Sequence, residues 1–128
     1  MTDRVRKHGI RVAVVMLAVL AACAVPDAGP YAGQWTRTVD SMGVTHLTIE
    51  KAARVAIRFE HPPAGTSAEM KGPGSFRGDT LTFSGAPCER GAARYVLAVN
   101  ASELTVSPLG ADGCVSRRMA LVGVWKRD

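Results

Sequence analysis

The sequence predicts an all-β domain, with a small antiparallel up-and-down β-barrel of about eight strands as the favoured architecture. Three observations support this prediction. Apolar and polar residues alternate over most of the chain after residue 30, turn-forming residues separate the alternating runs, and no stretch after the N-terminal leader keeps a sustained helical period. Long antiparallel meanders bury their edge strands by closing, so the barrel comes first and a two-sheet β-sandwich is the alternative.

Residues 1–22 predict a signal peptide helix that directs export. Residues 1–11 carry four bases against one acid, and residues 12–20 are unbroken apolar sequence. At about 1.5 Å per residue, this apolar core reaches about half of a hydrocarbon layer of about 30 Å. A membrane-spanning helix is therefore not expected.

The leader ends at Leu20-Ala21-Ala22-Cys23, which resembles the lipobox of bacterial lipoproteins. The resemblance implies that Cys23 becomes an acylated N-terminus, which anchors the protein in the cell envelope facing the periplasm or the exterior. Ala24 stands where Asp commonly marks retention in the inner membrane, so the resemblance favours the outer membrane if the cell is Gram-negative. Two alternatives stay open: ordinary signal cleavage after Ala24, which releases a soluble protein, and an uncleaved or cytosolic N-terminal helix.

The cysteine count agrees with export. The chain has three cysteines, and assigning Cys23 to lipid leaves Cys88 and Cys114 to form a disulfide in an oxidising compartment. The loop closed by that disulfide has about 26 residues and is worth roughly 3.5 kcal/mol if the effect is chain entropy. A zinc site at the same cysteines is disfavoured, because Zn²⁺ usually takes four ligands and no histidine lies near them in the sequence.

The positive charge belongs mainly to the leader. The full chain has 16 bases, 11 acids and a net charge of +5. The leader contributes four of those bases and one of those acids, so the remainder has 12 bases, 10 acids and a net charge of +2. Because the remaining arginines are scattered among acids, the sequence does not favour a nucleic-acid-binding surface.

The rest of the chain divides into a tether and one domain. Residues 23–30 hold two prolines and no periodicity, which predicts a short tether before a barrel domain at residues 31–128. The domain is predicted to begin with a strand at residues 34–39, to form hairpins around residues 51–53, 78–79 and 100–102, and to end with a strand at residues 115–126. Residues 61–74 hold three prolines and three glycines, which predicts an exposed loop.

Gly33-Gln34-Trp35 resembles the G-x-W motif that opens the first strand of lipocalin-like barrels. That resemblance implies that the indole plugs the closed end of the barrel, with a basic residue of the last strand, Arg127 or Lys126, packed across it beside Trp125. Short strands and few large aromatic residues favour a barrel filled by its own side chains. The opening from Ala32 is also similar to the start of small periplasmic β-barrel inhibitors of secreted proteases.

The sequence offers no catalytic arrangement. His46 lies on the polar face of its predicted strand and His61 precedes a proline in the predicted loop, so both are interpreted as surface residues. No serine lies in a G-x-S-x-G elbow or next to a base that would activate it. We therefore expect no catalytic residue, no cofactor and no metal site.

These observations indicate a lipid-anchored envelope protein with a non-catalytic binding or scaffolding domain. Its expected partner is an envelope protein or a small apolar ligand, contacted through the barrel mouth or residues 61–74. An inhibitor of a protease or a lysozyme is the alternative. The sequence does not define the binding residues, for which Trp35, His61, Tyr95 and Trp125 are the candidates.

Overall fold

The computed structural model describes residues 27–62, 64–65, 67–85 and 91–128. After a 3-10 turn at Gly29–Tyr31, the described part holds β1 Gly33–Val39, β2 Gly43–Ile49, β3 Val55–Phe59, β4 Glu69–Gly72, β5 Gly74–Arg77, β6 Thr80–Phe83, β7 Ala93–Asn100, β8 Glu103–Leu109, α1 Val115–Leu121 and β9 Gly123–Arg127. No helix among these described residues is long and apolar enough to cross a membrane. The signal peptide, Cys23 and Cys88 lie outside the described residues, so what the sequence predicts for them stays a prediction.

The strands form one antiparallel sheet that is nearly closed into a barrel. Their order in the sheet is β4-β3-β2-β1-β9-β8-β7-β6-β5, so the last strand returns to pair with the first. The two outer strands of this order, β4 and β5, are consecutive along the chain and are separated by Pro73 alone. Because proline has no amide hydrogen to donate, the ladder is interrupted where the two sheet edges meet. The prediction of a small up-and-down barrel is confirmed, with β4 and β5 as two short strands on either side of this interruption.

The two ends of the barrel differ. The N-terminal end holds the start of β1, the end of β9, and the β2–β3, β5–β6 and β7–β8 turns. The helix end holds the β1–β2 turn, the β3–β4 connection and α1. At the N-terminal end, Tyr31 stacks on Phe76 with ring centroids 5.2 Å apart, and the Ala28 amide donates to the Lys51 carbonyl at 2.9 Å. The N-terminal segment of the described chain therefore packs on the barrel at the end opposite to α1.

Side chains from all around the sheet fill the interior. The largest side chains with less than 2% exposure are Trp35, Trp125, Arg117, Tyr95, Phe83, Leu47, Ile49, Ile57, Met70, Leu81, Leu97 and Leu104. Burial of each large apolar side chain stabilises the fold by about 1.5–3 kcal/mol relative to exposure. The interior is thus a packed core.

The predicted last strand at residues 115–126 is wrong in its first part, which forms α1. This helix buries Arg117, Ala120 and Leu121, whose spacing places them on one helical face. The apolar residues of this segment do not show a helical period, because the charged Arg117 belongs to the buried face of the helix while the apolar Met119 is 62% exposed.

The predicted loop at residues 61–74 is wrong near its end, where β4 forms. β4 pairs with β3, and Met70 lies opposite Ile57. A strand of four residues that ends in Gly72 before Pro73 carries a single buried apolar side chain, Met70. That is too little alternation for a strand to be recognised in the sequence.

Candidate functional site

Trp35, the tryptophan of the first-strand G-x-W motif, is a buried structural residue at the N-terminal end. Its Nε1 donates to the Tyr31 carbonyl at 3.1 Å, and the guanidinium carbon of Arg127 lies 4.1 Å from its ring centroid. Arg127 also donates to the carbonyls of Ala32 and Pro30, at 3.3 and 3.2 Å. These contacts fasten the last strand to the segment that enters β1, and Trp35 has no exposed surface for a ligand.

Trp125 repeats this arrangement at the helix end. It belongs to a second G-x-W sequence, Gly123-Val124-Trp125, and its Nε1 donates to the Leu121 carbonyl at 3.0 Å. The guanidinium carbon of Arg37 lies 4.4 Å from the Trp125 ring centroid. Arg37 Nη1 donates to the Val122 carbonyl at 2.6 Å, and Nη2 donates to two carbonyls of the last turn of α1. Arg37 therefore holds the C-terminal end of α1 against the barrel, and burial lowers the pKa of its guanidinium.

Tyr95 belongs to a buried ionic network that fixes the start of α1. Arg117 Nη2 and Nε donate to the two carboxylate oxygens of Asp112 at 2.8 and 3.0 Å, and the Tyr95 hydroxyl donates to Asp112 Oδ2. The Cys114 amide donates to Asp112 Oδ1 at 2.8 Å. The side chains of Arg117 and Asp112 are only 2% and 3% exposed. The Tyr95 hydroxyl is thus used in a hydrogen bond within the fold.

The pKa values of this network follow from its contacts. Burial alone would raise the pKa of Asp112, but hydrogen bonds from Arg117, Tyr95 and the Cys114 amide lower it to about 2. Burial raises the pKa of Tyr95, and its hydrogen bond to the Asp112 carboxylate raises it further. At neutral pH the network therefore consists of an ionised carboxylate, a neutral phenol and a charged guanidinium.

The four candidate binding residues do not form one site. Trp35, Tyr95 and Trp125 are packed inside the barrel, whereas His61 is exposed at the helix end. The His61 amide donates to the Met42 carbonyl at 3.0 Å, and His61 Nε2 lies 3.2 Å from a carboxylate oxygen of the adjacent Glu60. His61 is the only one of the four candidates whose side chain is exposed.

A largely apolar cavity of about 370 Å³ opens at the helix end and is called the mouth cavity here. The β1–β2 turn, β3, the β3–β4 connection, β4 and α1 all contribute to its walls. The lining residues are Ser41, Met42, Phe59, Pro62, Ala64, Met70, Ser116 and Met119. A volume of this size lies within the range of ligand sites, which is about 300–1,000 Å³.

A second concavity of about 400 Å³ adjoins the mouth cavity, and the two share Ser41, Met42 and Met119. Its remaining lining residues are Arg37, Val39, Val115, Arg118 and Val122. Val115 and Met119 are exposed apolar side chains on α1. The two concavities together, called the mouth site, form an apolar opening bordered by two arginines.

A third depression, of about 180 Å³, is polar and lies on the outer wall of the barrel. Its lining residues are Gln34, His46, Thr48, Ala56, Arg58, Glu69 and Asp128. His46, Arg58 and Glu69 are cross-strand neighbours on β2, β3 and β4. Within the part of the chain that the structure describes, no group of three or more His, Cys, Asp or Glu is placed to hold a metal ion.

The sequence pointed only in part to the mouth site. The barrel mouth and residues 61–74 were expected as contact surfaces, and Pro62, Ala64 and Met70 of that segment line the mouth cavity. The convergence of Met42, Met70 and Met119 was missed, since the three are far apart in the sequence. A signal existed, because they are the only methionines after the leader.

The fold and the mouth site define a small filled β-barrel with an apolar opening at one end. No protein-family model, no curated protein sequence and no solved structure matches the chain.

Proposed function

We propose that the chain is a lipid-anchored envelope protein whose barrel is a non-catalytic binding module, with the mouth site as its contact surface. The observation that carries this proposal is the apolar opening at the end of the barrel opposite to the tether. A soluble domain usually covers such a surface with its own chain or with a partner, and here the side chains of Val115 and Met119 remain exposed beside it.

The packing of the barrel favours the mouth site, rather than the barrel interior, as the place where a ligand binds. Trp35, Trp125, Tyr95 and Phe83 occupy the space that a hollow barrel would offer to a ligand. A ligand or a partner side chain therefore has the mouth cavity, and not the core, as its place of entry.

The position of the tether supports an outward-facing orientation. Four residue steps separate Cys23 from Asp27, the first described residue, and they span at most about 14 Å. If Cys23 is acylated, the N-terminal end of the barrel lies close to the membrane surface. The mouth site then points away from the membrane, where an envelope protein or a diffusing ligand can reach it.

Native mass spectrometry of the mature protein, extracted gently from its own membrane, tests this function. We expect the wild-type protein to carry an adduct: a small molecule, an ion or a second polypeptide. The variant Ala64→Phe, which places a ring in the mouth cavity, is expected to lose the adduct. The matched control Val124→Ser alters an exposed residue of the outer wall and is expected to keep it.

The outcomes separate the alternatives. An adduct that survives in Ala64→Phe, or a wild-type protein that carries none, contradicts the mouth site. A secreted protease or lysozyme as the second polypeptide would establish the inhibitor alternative. An activity that disappears when His46 and His61 are both replaced by Gln would contradict the non-catalytic assignment.

A further inference from the structure

Methionine side chains converge on the mouth cavity. Every methionine in the described part of the chain, Met42, Met70 and Met119, lines this one cavity. The three side chains come from different elements, namely the β1–β2 turn, β4 and α1. From this convergence we propose that the mouth cavity binds Cu(I) through the three thioether sulfurs, a proposal that rests on the mouth site being the binding site of the protein.

The ligand chemistry selects this metal ion. Thioethers are soft, uncharged ligands that favour Cu(I) over hard divalent cations such as Mg²⁺ and Ca²⁺. Among the described residues that line the cavity there is no carboxylate and no imidazole, and those other than the methionines supply apolar surface and the hydroxyls of Ser41 and Ser116. The cavity therefore offers sulfur to a soft monovalent ion and little to a hard one.

The three methionines are arranged for capture from outside. Met42 and Met70 are 5% and 1% exposed, so the packing around them restricts where their sulfurs lie. Met119 is exposed at the rim, on a helix whose position is fixed at both ends. Arg37 holds the C-terminal carbonyls of α1, and the Arg117–Asp112 pair holds its beginning. Met119 is thus the natural first contact for an incoming ion, with the two inner thioethers behind it.

Methionine also serves as a filler of irregular apolar gaps, and leucine separates that role from metal binding. Leucine keeps nearly the volume of methionine and has no sulfur, so the exchange usually costs less than about 1.5 kcal/mol. A filler role predicts that Met→Leu variants change nothing except packing. A ligand role predicts the loss of Cu(I) with the fold retained.

The test is an anaerobic competition for Cu(I) between the mature acylated protein and a chromophoric Cu(I) chelator. We expect the wild-type protein to withdraw one Cu(I) per chain. Met119→Leu, at an exposed position, is expected to weaken Cu(I) binding by about tenfold or more without a change in Tm. The triple variant Met42→Leu, Met70→Leu, Met119→Leu is expected to weaken it by at least about 100-fold. The control Val124→Leu changes an exposed residue of the outer wall that lines neither concavity, and it is expected to retain Cu(I).

Selenomethionine labelling identifies the ligands directly. In the labelled protein loaded with Cu(I), X-ray absorption at the selenium edge is expected to show copper as a neighbour of selenium. A thiol titration of the same sample measures its reduced cysteines, so that Cu(I) bound by cysteine is not attributed to the methionines. Equal Cu(I) affinity in wild type and folded Met119→Leu, or no copper near selenium, would overturn the metal proposal. Loss of the native adduct in Ala64→Phe would leave the proposed function standing even then.

Discussion

Arg127 lies over the ring of Trp35, 4.1 Å from its centroid, and the two residues are direct cross-strand neighbours on β9 and β1. Arg37 of β1 likewise lies over the ring of Trp125 of β9, 4.4 Å from its centroid. The first and last strands are therefore joined by two arginine–tryptophan contacts, one at each end of the barrel. Each arginine also binds backbone carbonyls, so the two contacts close the barrel and fasten both the N-terminal turn and α1.

The two arginines are expected to differ in their effect on stability. Arg37→Met should lower the free energy of unfolding by about 2–3 kcal/mol, because it leaves the C-terminal carbonyls of α1 without a charged donor. Arg127→Met removes a contact that is more exposed and should cost about 1 kcal/mol. Urea unfolding followed by circular dichroism measures both values, and a larger loss for Arg127→Met would contradict this ranking.

Asp112 is expected to make the protein sensitive to acid. Its folded-state pKa of about 2 lies below the ordinary value of 3.8, so its stabilisation is present above about pH 4 and is lost as the pH falls toward 2. The loss is about 2 kcal/mol for a shift of this size. At the other extreme, the raised pKa of Tyr95 means that stability also falls as the pH rises above 10, where the phenol ionises in the unfolded chain alone. Urea unfolding at a series of pH values measures both effects.

Replacing Asp112 tests the source of that acid sensitivity. Asp112→Asn leaves Arg117 buried without a charged partner and should cost about 3 kcal/mol or more at neutral pH. It should also flatten the dependence of stability on pH between 4 and 2. Asp40→Asn removes an exposed carboxylate from the β1–β2 turn and is the matched control, for which we expect no flattening. An equal response in the two variants would rule out Asp112 as the acid-sensitive group.

Ala101 occupies a left-handed backbone conformation in the β7–β8 turn, with φ of 59°. The side chain makes this conformation unfavourable by about 1–2 kcal/mol, so Ala101→Gly is expected to stabilise the protein by a few tenths to about 1 kcal/mol after the entropy cost of glycine. Ala98→Gly, in the extended part of β7, should instead destabilise it by about 0.5–1 kcal/mol. Thermal unfolding of the two variants should shift Tm in opposite directions, and a shift in the same direction would refute the argument.

The disulfide between Cys88 and Cys114 stays a prediction, because Cys88 lies outside the described residues. Arg117 Nη1 donates to the Gly85 and Gly91 carbonyls at 3.3 and 3.4 Å, and these residues flank the segment that carries Cys88. Replacing either cysteine by Ala should lower the free energy of unfolding by roughly 3.5 kcal/mol. Intact mass under non-reducing conditions should show two hydrogens fewer than the reduced chain, and an unchanged mass after reduction would refute the pairing.

The lipid anchor has its own test. Cys23→Ser removes the residue proposed to be acylated, so the protein is expected to leave the membrane fraction and to appear in the soluble fraction. Wild-type protein should remain with the membranes after washing with high salt, because salt screens charge but does not weaken an acyl anchor. Retention of Cys23→Ser in washed membranes would contradict the lipoprotein assignment.

Alternation in the sequence was sufficient to predict the barrel and its hairpins, because β2, β3, β7 and β8 each carry several inward-facing apolar residues. It was insufficient for β4, which has one, and for α1, whose buried face includes Arg117. The partner that makes Arg117 stable inside the fold is Asp112, which lies just before α1, and a pair of this kind leaves no periodic pattern in the sequence. The mouth site was predicted only in part, through the barrel mouth and residues 61–74, since its residues meet only when the β1–β2 turn, β4 and α1 are placed side by side.

The most direct test of the mouth site compares the rate at which chloramine-T oxidises Met119 to the sulfoxide in two preparations. One is the intact cell envelope, and the other is the stripped protein, which has been purified and freed of any bound ligand or partner. Met119 is 62% exposed, so it should react rapidly in the stripped protein. We predict that it reacts several times more slowly in the envelope, where a ligand or partner covers it. A reporter methionine on the outer wall, Val124→Met, should react at similar rates in both. Equal rates for Met119 in the two preparations would contradict binding at the mouth site.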